Sequence, residues 1–217
     1  MSLRVAGGAG LASVLLLLPI SVLLAATDYP FADASTTEVI AYVDDHRSAL
    51  MAAILVEFIS ISLLLVFVAG VSDRLPRSVK LVTLAAGTAT VLLIGLEIST
   101  VASAAFSPSP GTIEALWPLA HFGFGVLLHV TTALFIASTT LGVVQSPNLD
   151  LDQRLRSSVI VLGVIAAAGS AAIPIGYMSD NIDFVAGFAE HAIATLPFAL
   201  WVLSLATALL RPGSEAA

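Results

Sequence analysis

The chain contains no cysteine and little charge. Of its 217 residues, 11% are charged and 58% are hydrophobic, whereas a soluble domain is about a quarter charged and close to half apolar. The absence of cysteine excludes disulfides, thiolate metal ligands and cysteine nucleophiles. The apolar residues come in long blocks, a pattern that indicates a membrane protein rather than a globular core.

Basic residues and the common catalytic motifs are also scarce. The eight Lys and Arg are spread over short segments, and they form no basic patch, so we do not expect nucleic-acid binding. The sequence contains no glycine-rich phosphate loop and no Gly-x-Ser-x-Gly elbow. The longest polar stretch is the segment 27–48, which leaves no room for a soluble catalytic domain. The sequence therefore leans away from an enzyme.

The apolar blocks predict an all-α fold, a polytopic bundle of about six transmembrane helices. Each block has roughly the 20 apolar residues needed to cross the hydrocarbon core of a bilayer. Together they form one domain that covers residues 1–217. The predicted spans are 5–26, 49–71, 79–104, 115–144, 157–177 and 184–210.

The distribution of basic residues predicts the orientation. If the N-terminus is inside, seven of the eight basic residues fall in cytoplasmic segments and only Arg47 lies outside, as the positive-inside rule favours. Both termini are then cytoplasmic, in a multi-pass protein of the cell membrane. The seven are Arg4, Arg74, Arg77, Lys80, Arg154, Arg156 and Arg211.

The first span has two interpretations. A basic residue before it and the small residues Ala25-Ala26-Thr27 after it also fit a cleaved signal peptide. We favour an uncleaved helix, because an apolar run of about 22 residues is long for a signal peptide. Gly7, Gly8 and Gly10 within it suit close helix packing.

The first external loop carries a helix-start signal. Ser35-Thr36-Thr37-Glu38 matches a capping box, and the apolar residues after it recur at helical spacing. The pattern predicts a short amphipathic helix that lies on the outer surface of the membrane. Two roles are open for it: a lid over the outer ends of the helices, or a gate or docking element for a partner.

Four predicted spans carry ionisable residues, which are expensive in a bilayer and usually face a bundle interior or a wet cavity. Every Lys and Arg lies outside the spans. At a rise of 1.5 Å per residue, each of these groups lies about 9–12 Å below the outer end of its span. We therefore expect one shared ion- or proton-binding site in the outer half of the bundle, with His129 deeper as a secondary candidate. The primary candidates are Glu57, Glu97, His121, Glu190 and His191.

Three states would satisfy these groups. Desolvation favours the neutral carboxylic acid, and neutral Glu and His can form a structural clasp across helices. A proton shared within Glu–His pairs would make a relay, as part of proton- or cation-linked transport or sensing. Carboxylates with imidazole also suit a metal such as zinc, and His121 or His129 with His191 could hold haem, although neither cofactor is favoured.

The layout resembles a broad group of uncharacterised bacterial six-helix membrane proteins. The resembling features are a first span, the loop pattern from Asp33-Ala34-Ser35 to His46-Arg47, and Ala- and Leu-rich spans that end in Leu209-Leu210-Arg211. The resemblance implies the six-helix fold and brings no particular activity.

The sequence as a whole predicts a small transporter-like or accessory membrane protein with a proton- or cation-responsive Glu/His site. The alternatives are a metal-dependent intramembrane enzyme, a haem electron carrier and a structural subunit of the membrane. The expected partners are the lipid bilayer and either another membrane protein or further copies of this chain.

Overall fold

A computed structural model describes residues 1–27, 29–30, 34–146, 151–178 and 191–211, and every regular element in these ranges is helical. Two short π-helical segments, π1 and π2, interrupt the α-helices. The elements in chain order are α1 (Leu3–Ala26), α2 (Thr36–Arg74), α3 (Arg77–Phe106), α4 (Pro110–Pro118), π1 (Leu119–Phe124), α5 (Gly125–Gln145), α6 (Gln153–Met178), π2 (His191–Thr195) and α7 (Leu196–Leu210).

Six helical segments are long and apolar enough to cross a membrane, which fits a multi-pass membrane protein. The segments α4, π1 and α5 together make the fourth of them, and the sixth begins within π2. The predicted all-α bundle of about six spans is therefore confirmed in its fold class. The six segments are Leu3–Leu24, Thr36–Arg74, Arg77–Phe106, Pro110–Gln145, Gln153–Gly176 and Ile193–Leu210.

The first-loop helix differs from the prediction because it is not a separate element. The capping box is present: Ser35 Oγ accepts from the N–H of Glu38, and the Glu38 carboxylate accepts from the N–H of Ser35. From there α2 runs for 39 residues without a break to Arg74. The sequence between Ser35 and Leu75 contains no proline, so nothing interrupts the hydrogen-bond ladder until Pro76 prevents its continuation.

The helices pack in chain order as a ring. Each spanning helix contacts the one before it and the one after it, and α7 closes the ring against α1. A Cβ added at Gly7 would stand 2.7 Å from the backbone oxygen of Ala206 on α7, so this glycine permits the close approach that the sequence suggested. The expectation was wrong for Gly8, where nothing lies within 4 Å.

The ring has two ends, which we name by one residue each. The Arg77 end carries the beginnings of α1, α3 and α6 and the ends of α2, α5 and α7; the Tyr29 end carries the opposite termini. The seven basic residues grouped by the sequence all lie towards the Arg77 end, where Lys80 pairs with Asp73 at 2.8 Å. The assignment of this end to the cytoplasm stays a prediction from the positive-inside rule.

A seam of hydrogen bonds joins α3 to α5. Thr90 donates to Thr131 at 3.2 Å, Thr83 donates to Ser138 at 3.0 Å, and Ser78 donates to Gln145 at 3.3 Å. The partners on α5 are seven residues apart, so they return to nearly the same face of the helix. Such polar contacts hold helices together in lipid, where no hydrophobic force acts between them.

Candidate functional site

The structure places three of the five primary candidates at separate positions around the ring. Glu57 lies on α2, Glu97 on α3 and His121 in π1, and each is partly buried. Glu190 and the side chain of His191 lie outside the described residues. His129, the secondary candidate, is buried on α5 with 6% of its surface exposed.

Glu57 and Glu97 lie at similar heights in the bundle. The Arg47 guanidinium on α2 donates to the backbone oxygens of Ala105 and Phe106 at the end of α3, and these bonds set the register of the two antiparallel helices. Glu57 follows Arg47 by ten residues and Glu97 precedes Ala105 by eight. At 1.5 Å per residue, the two carboxyl groups are about 15 Å and about 12 Å below this contact.

Tyr29 connects these elements from the loop between α1 and α2. Its N–H donates to the oxygen of Leu24 at 3.2 Å, so the chain turns directly after α1. Its ring centroid lies 6.0 Å from that of His121 and 5.6 Å from that of Trp117. Trp117 and His121 are in turn 5.0 Å apart. The loop therefore folds inward and places a phenol against the imidazole.

The electrostatics of Tyr29 link it to both acids. Burial raises the pKa of Tyr29 well above its usual range, and the negative charges of Glu97 and then Glu57 raise it further. Both carboxyl groups therefore act on the same phenol. His121 contacts the ring of Tyr29, and the two acids act on the same phenol by charge; we name Tyr29, Glu57, Glu97 and His121 the Tyr29 cluster.

A second set of contacts lies beside the Tyr29 cluster and involves the end of α1 and the first turns of α2. The hydroxyls of Thr27 and Tyr42 are 2.8 Å apart, and the Tyr42 ring meets that of Tyr29 edge-on at 5.5 Å. His46, one turn further along α2, stacks on Tyr42 with centroids 4.6 Å apart. These contacts tie the end of α1 and Tyr29 to the first turns of α2.

The π1 segment sets the position of His121. Pro118 precedes it and has no N–H to donate to the preceding turn, and the helix continues through π1 as a wider turn with i→i+5 bonds. Pro197 also stands beside a π-helical segment, π2, whereas α6 continues unbroken through Pro174.

A metal centre has no support among the residues that the structure describes. Within these ranges, no three His, Asp or Glu side chains come together in a way that could hold a metal ion. In the Tyr29 cluster, the imidazole of His121 contacts the ring of Tyr29, and the two carboxyl groups act on the phenol by charge. The arrangement suits hydrogen bonding and proton exchange between neutral and charged forms.

Sequence reasoning missed the aromatic residues of this region. Tyr29 lies in the predicted external loop, Tyr42 in the predicted loop helix and Trp117 in a predicted span, and none of them was a candidate site residue. A signal was present, because Tyr29 and Trp117 each precede a proline and lie near a predicted span end, where aromatic residues often mark the membrane interface. Their contact with His121 depends on how the loop folds back, which no local pattern encodes.

The comparisons with known proteins returned no relative. No protein-family model matches the chain, and neither a curated protein nor a solved structure matches it.

Proposed function

We propose that the chain is a transporter-like or accessory membrane protein in which the Tyr29 cluster is a proton- or cation-responsive site open to the Tyr29 end. One observation carries the proposal. Tyr29 is in ring contact with His121, and the charges of Glu57 and Glu97 act on it. Three ionisable groups that the sequence marked independently therefore share one neighbour.

The surroundings of the cluster favour a response to protons. Two acids and one imidazole can exchange a proton with each other or with water, and histidine titrates near neutral pH. Among the described residues, Tyr42 on α2 contacts Tyr29, and His46 stacks on Tyr42. The nearby cation, Arg47, is hydrogen-bonded to carbonyls at the end of α3. A change of charge in the cluster would thus be felt mainly by the loop and α2.

The orientation predicted by the positive-inside rule completes the proposal. If the basic Arg77 end is cytoplasmic, the Tyr29 end faces outwards. The cluster would then sample external pH or external cations, and the bonds from Thr27 to Tyr42 would pass its state to the loop. A partner protein, or a second copy of the chain, would sense that loop.

Fluorescence of Trp117 tests the proposal directly. The chain has two tryptophans, and Trp201→Phe leaves Trp117 as the single reporter, with its ring 5.0 Å from His121. Protonated imidazole quenches indole emission, so emission in nanodiscs should fall as the pH is lowered through the titration of His121. Because Glu97 is an acid of the same cluster, Glu97→Gln should shift the pH midpoint of the emission change.

Three comparisons make this experiment decisive. Glu114→Gln, which neutralises an exposed acid of α4, should leave the midpoint unchanged, while Glu57→Gln should act like Glu97→Gln. Adding sodium or zinc at constant pH separates a cation response from a proton response. A midpoint that is the same in the parent, Glu57→Gln and Glu97→Gln proteins would contradict a responsive site and would leave a structural clasp.

A further inference from the structure

Three aromatic side chains and three glycines form a layer across the ring. The aromatic residues are Phe67 on α2, Phe135 on α5 and Trp201 on α7, and each is 0% exposed. The glycines lie on the other three spanning helices. We name these six residues the aromatic–glycine layer: Gly10, Phe67, Gly87, Phe135, Gly163 and Trp201.

Each aromatic ring lies against the glycine of the preceding spanning helix. A Cβ at Gly10 would stand 2.5 Å from the ring of Phe67, and one at Gly87 would stand 2.9 Å from Phe135. One at Gly163 would stand 3.0 Å from Nε1 of Trp201 and closer still to the hydroxyl of Thr140 on α5. A real side chain would not fit at any of these positions. The three helix pairs thus use the same device, with glycine on the first helix and the ring on the second.

The six residues also lie at similar heights. Gly87 and Gly163 are each ten residues from the beginning of their helices, and Phe135 is ten residues from the end of α5. Gly10 and Phe67 are each seven residues from the Arg77 end of their helices. On the helical rise, the layer therefore lies about 10–15 Å from the Arg77 end.

The rings extend across the interior of the bundle. Phe135 meets Trp201 edge-on with centroids 5.5 Å apart. At Gly87, two side chains lie close to the position of an added Cβ. One is Phe135, and the other is Val68 of α2, whose Cγ1 would be 2.5 Å away. Side chains of α2, α5 and α7 therefore meet in the interior, and the layer contains no ionisable group.

We infer that the aromatic–glycine layer is a closed barrier of packed side chains, so that the Tyr29 cluster exchanges water and solutes with the Tyr29 end alone. Close-packed side chains leave little room for a file of water, and a largely apolar lining disfavours the passage of ions. The inference rests on the proposed function for its meaning, since a barrier matters only if the cluster exchanges something. Any transport through the bundle would have to separate these rings.

Thiol labelling can test the barrier, because the chain has no native cysteine. Glu97→Cys places a thiol in the cluster, and Ser72→Cys places one about one turn beyond Val68 of α2 towards the Arg77 end, at a buried position. A charged, membrane-impermeant thiosulfonate is added from the Tyr29 side of sealed vesicles. We expect at least tenfold faster modification of the first protein than of the second.

A second substitution shows whether the rings are the barrier. Combining Ser72→Cys with Phe135→Ala should make its thiol reactive from the Tyr29 side, whereas Phe135→Leu, which keeps most of the volume, should leave it unreactive. Rapid labelling of Ser72→Cys with the layer intact would overturn the inference. So would an unreactive thiol in the Phe135→Ala background or in Glu97→Cys. Labelling measures access and Trp117 emission measures protonation, so the two proposals fail separately.

Discussion

At Gly10, α1 approaches α2 too closely for a side chain, and replacing this glycine should measure how tightly the two helices pack. The added Cβ of Gly10→Ala would stand 2.5 Å from Cδ2 of Phe67 and 2.9 Å from Cε2. Phe67 is fully buried, so its ring cannot rotate away. At Gly8, two residues earlier on the same helix, the added Cβ would meet nothing within 4 Å. Gly8→Ala is therefore a matched control.

The expected magnitude follows from two opposing terms. Alanine is favoured over glycine in a helix interior by about 1 kcal/mol, and both variants gain this term. Overpacking a buried site costs about 1–3 kcal/mol, and only Gly10→Ala incurs it. We therefore expect Gly10→Ala to be less stable than Gly8→Ala by about 1–3 kcal/mol, with Gly8→Ala at or above the stability of the parent protein.

Reversible unfolding in mixed micelles measures this difference, with tryptophan emission followed as the fraction of denaturing detergent increases. The result also concerns the candidate site, since α1 carries Leu24, whose carbonyl holds the backbone of Tyr29. Gly10→Ala should therefore also alter the emission of Trp117, while Gly8→Ala should not. Equal stability of the two variants would refute the close packing of α1 against Phe67.

Three further predictions concern helix ends and the polar seam. Ser35→Ala removes the cap of α2 and should lower stability by about 1 kcal/mol in the same unfolding assay. Arg156→Ala removes the donor to Val143, Val144 and Ser146 at the end of α5 and should cost about 1.5–3 kcal/mol; an unchanged midpoint would mean that these carbonyls find other donors. Thr83→Val breaks the seam bond to Ser138 and should cost about 0.6 kcal/mol, and not more than about 1.7.

The helical content was readable from the sequence because it depends on local composition. Apolar blocks of sufficient length and the capping box at Ser35 predicted the spanning helices and the beginning of α2. The separate loop helix was not observed, since whether one helix ends and another begins depends on a breaking residue, and α2 has no proline before Pro76. The packing role expected for Gly8 failed for another reason: composition does not show which side of α1 meets a neighbour.

For the ionisable candidates too, some features were readable from local sequence and others depended on how the chain folds. Glu57, Glu97 and His121 stood out because charge is rare in apolar spans, and their depths followed from counting residues along a helix. Their common neighbour, Tyr29, could not be identified in this way, because it comes from a loop whose inward fold is set by contacts with Tyr42 and Trp117.

The sequence alone determined that this is a chain of apolar helices with acids and imidazoles within them, because hydrophobicity and residue spacing are local properties. Only the tertiary structure decided which of these groups meet at Tyr29. It also decided that glycines and rings from three helix pairs lie in one layer. Both results depend on the order, height and rotation of the helices in the ring, and these are fixed by long-range packing between residues far apart in the chain.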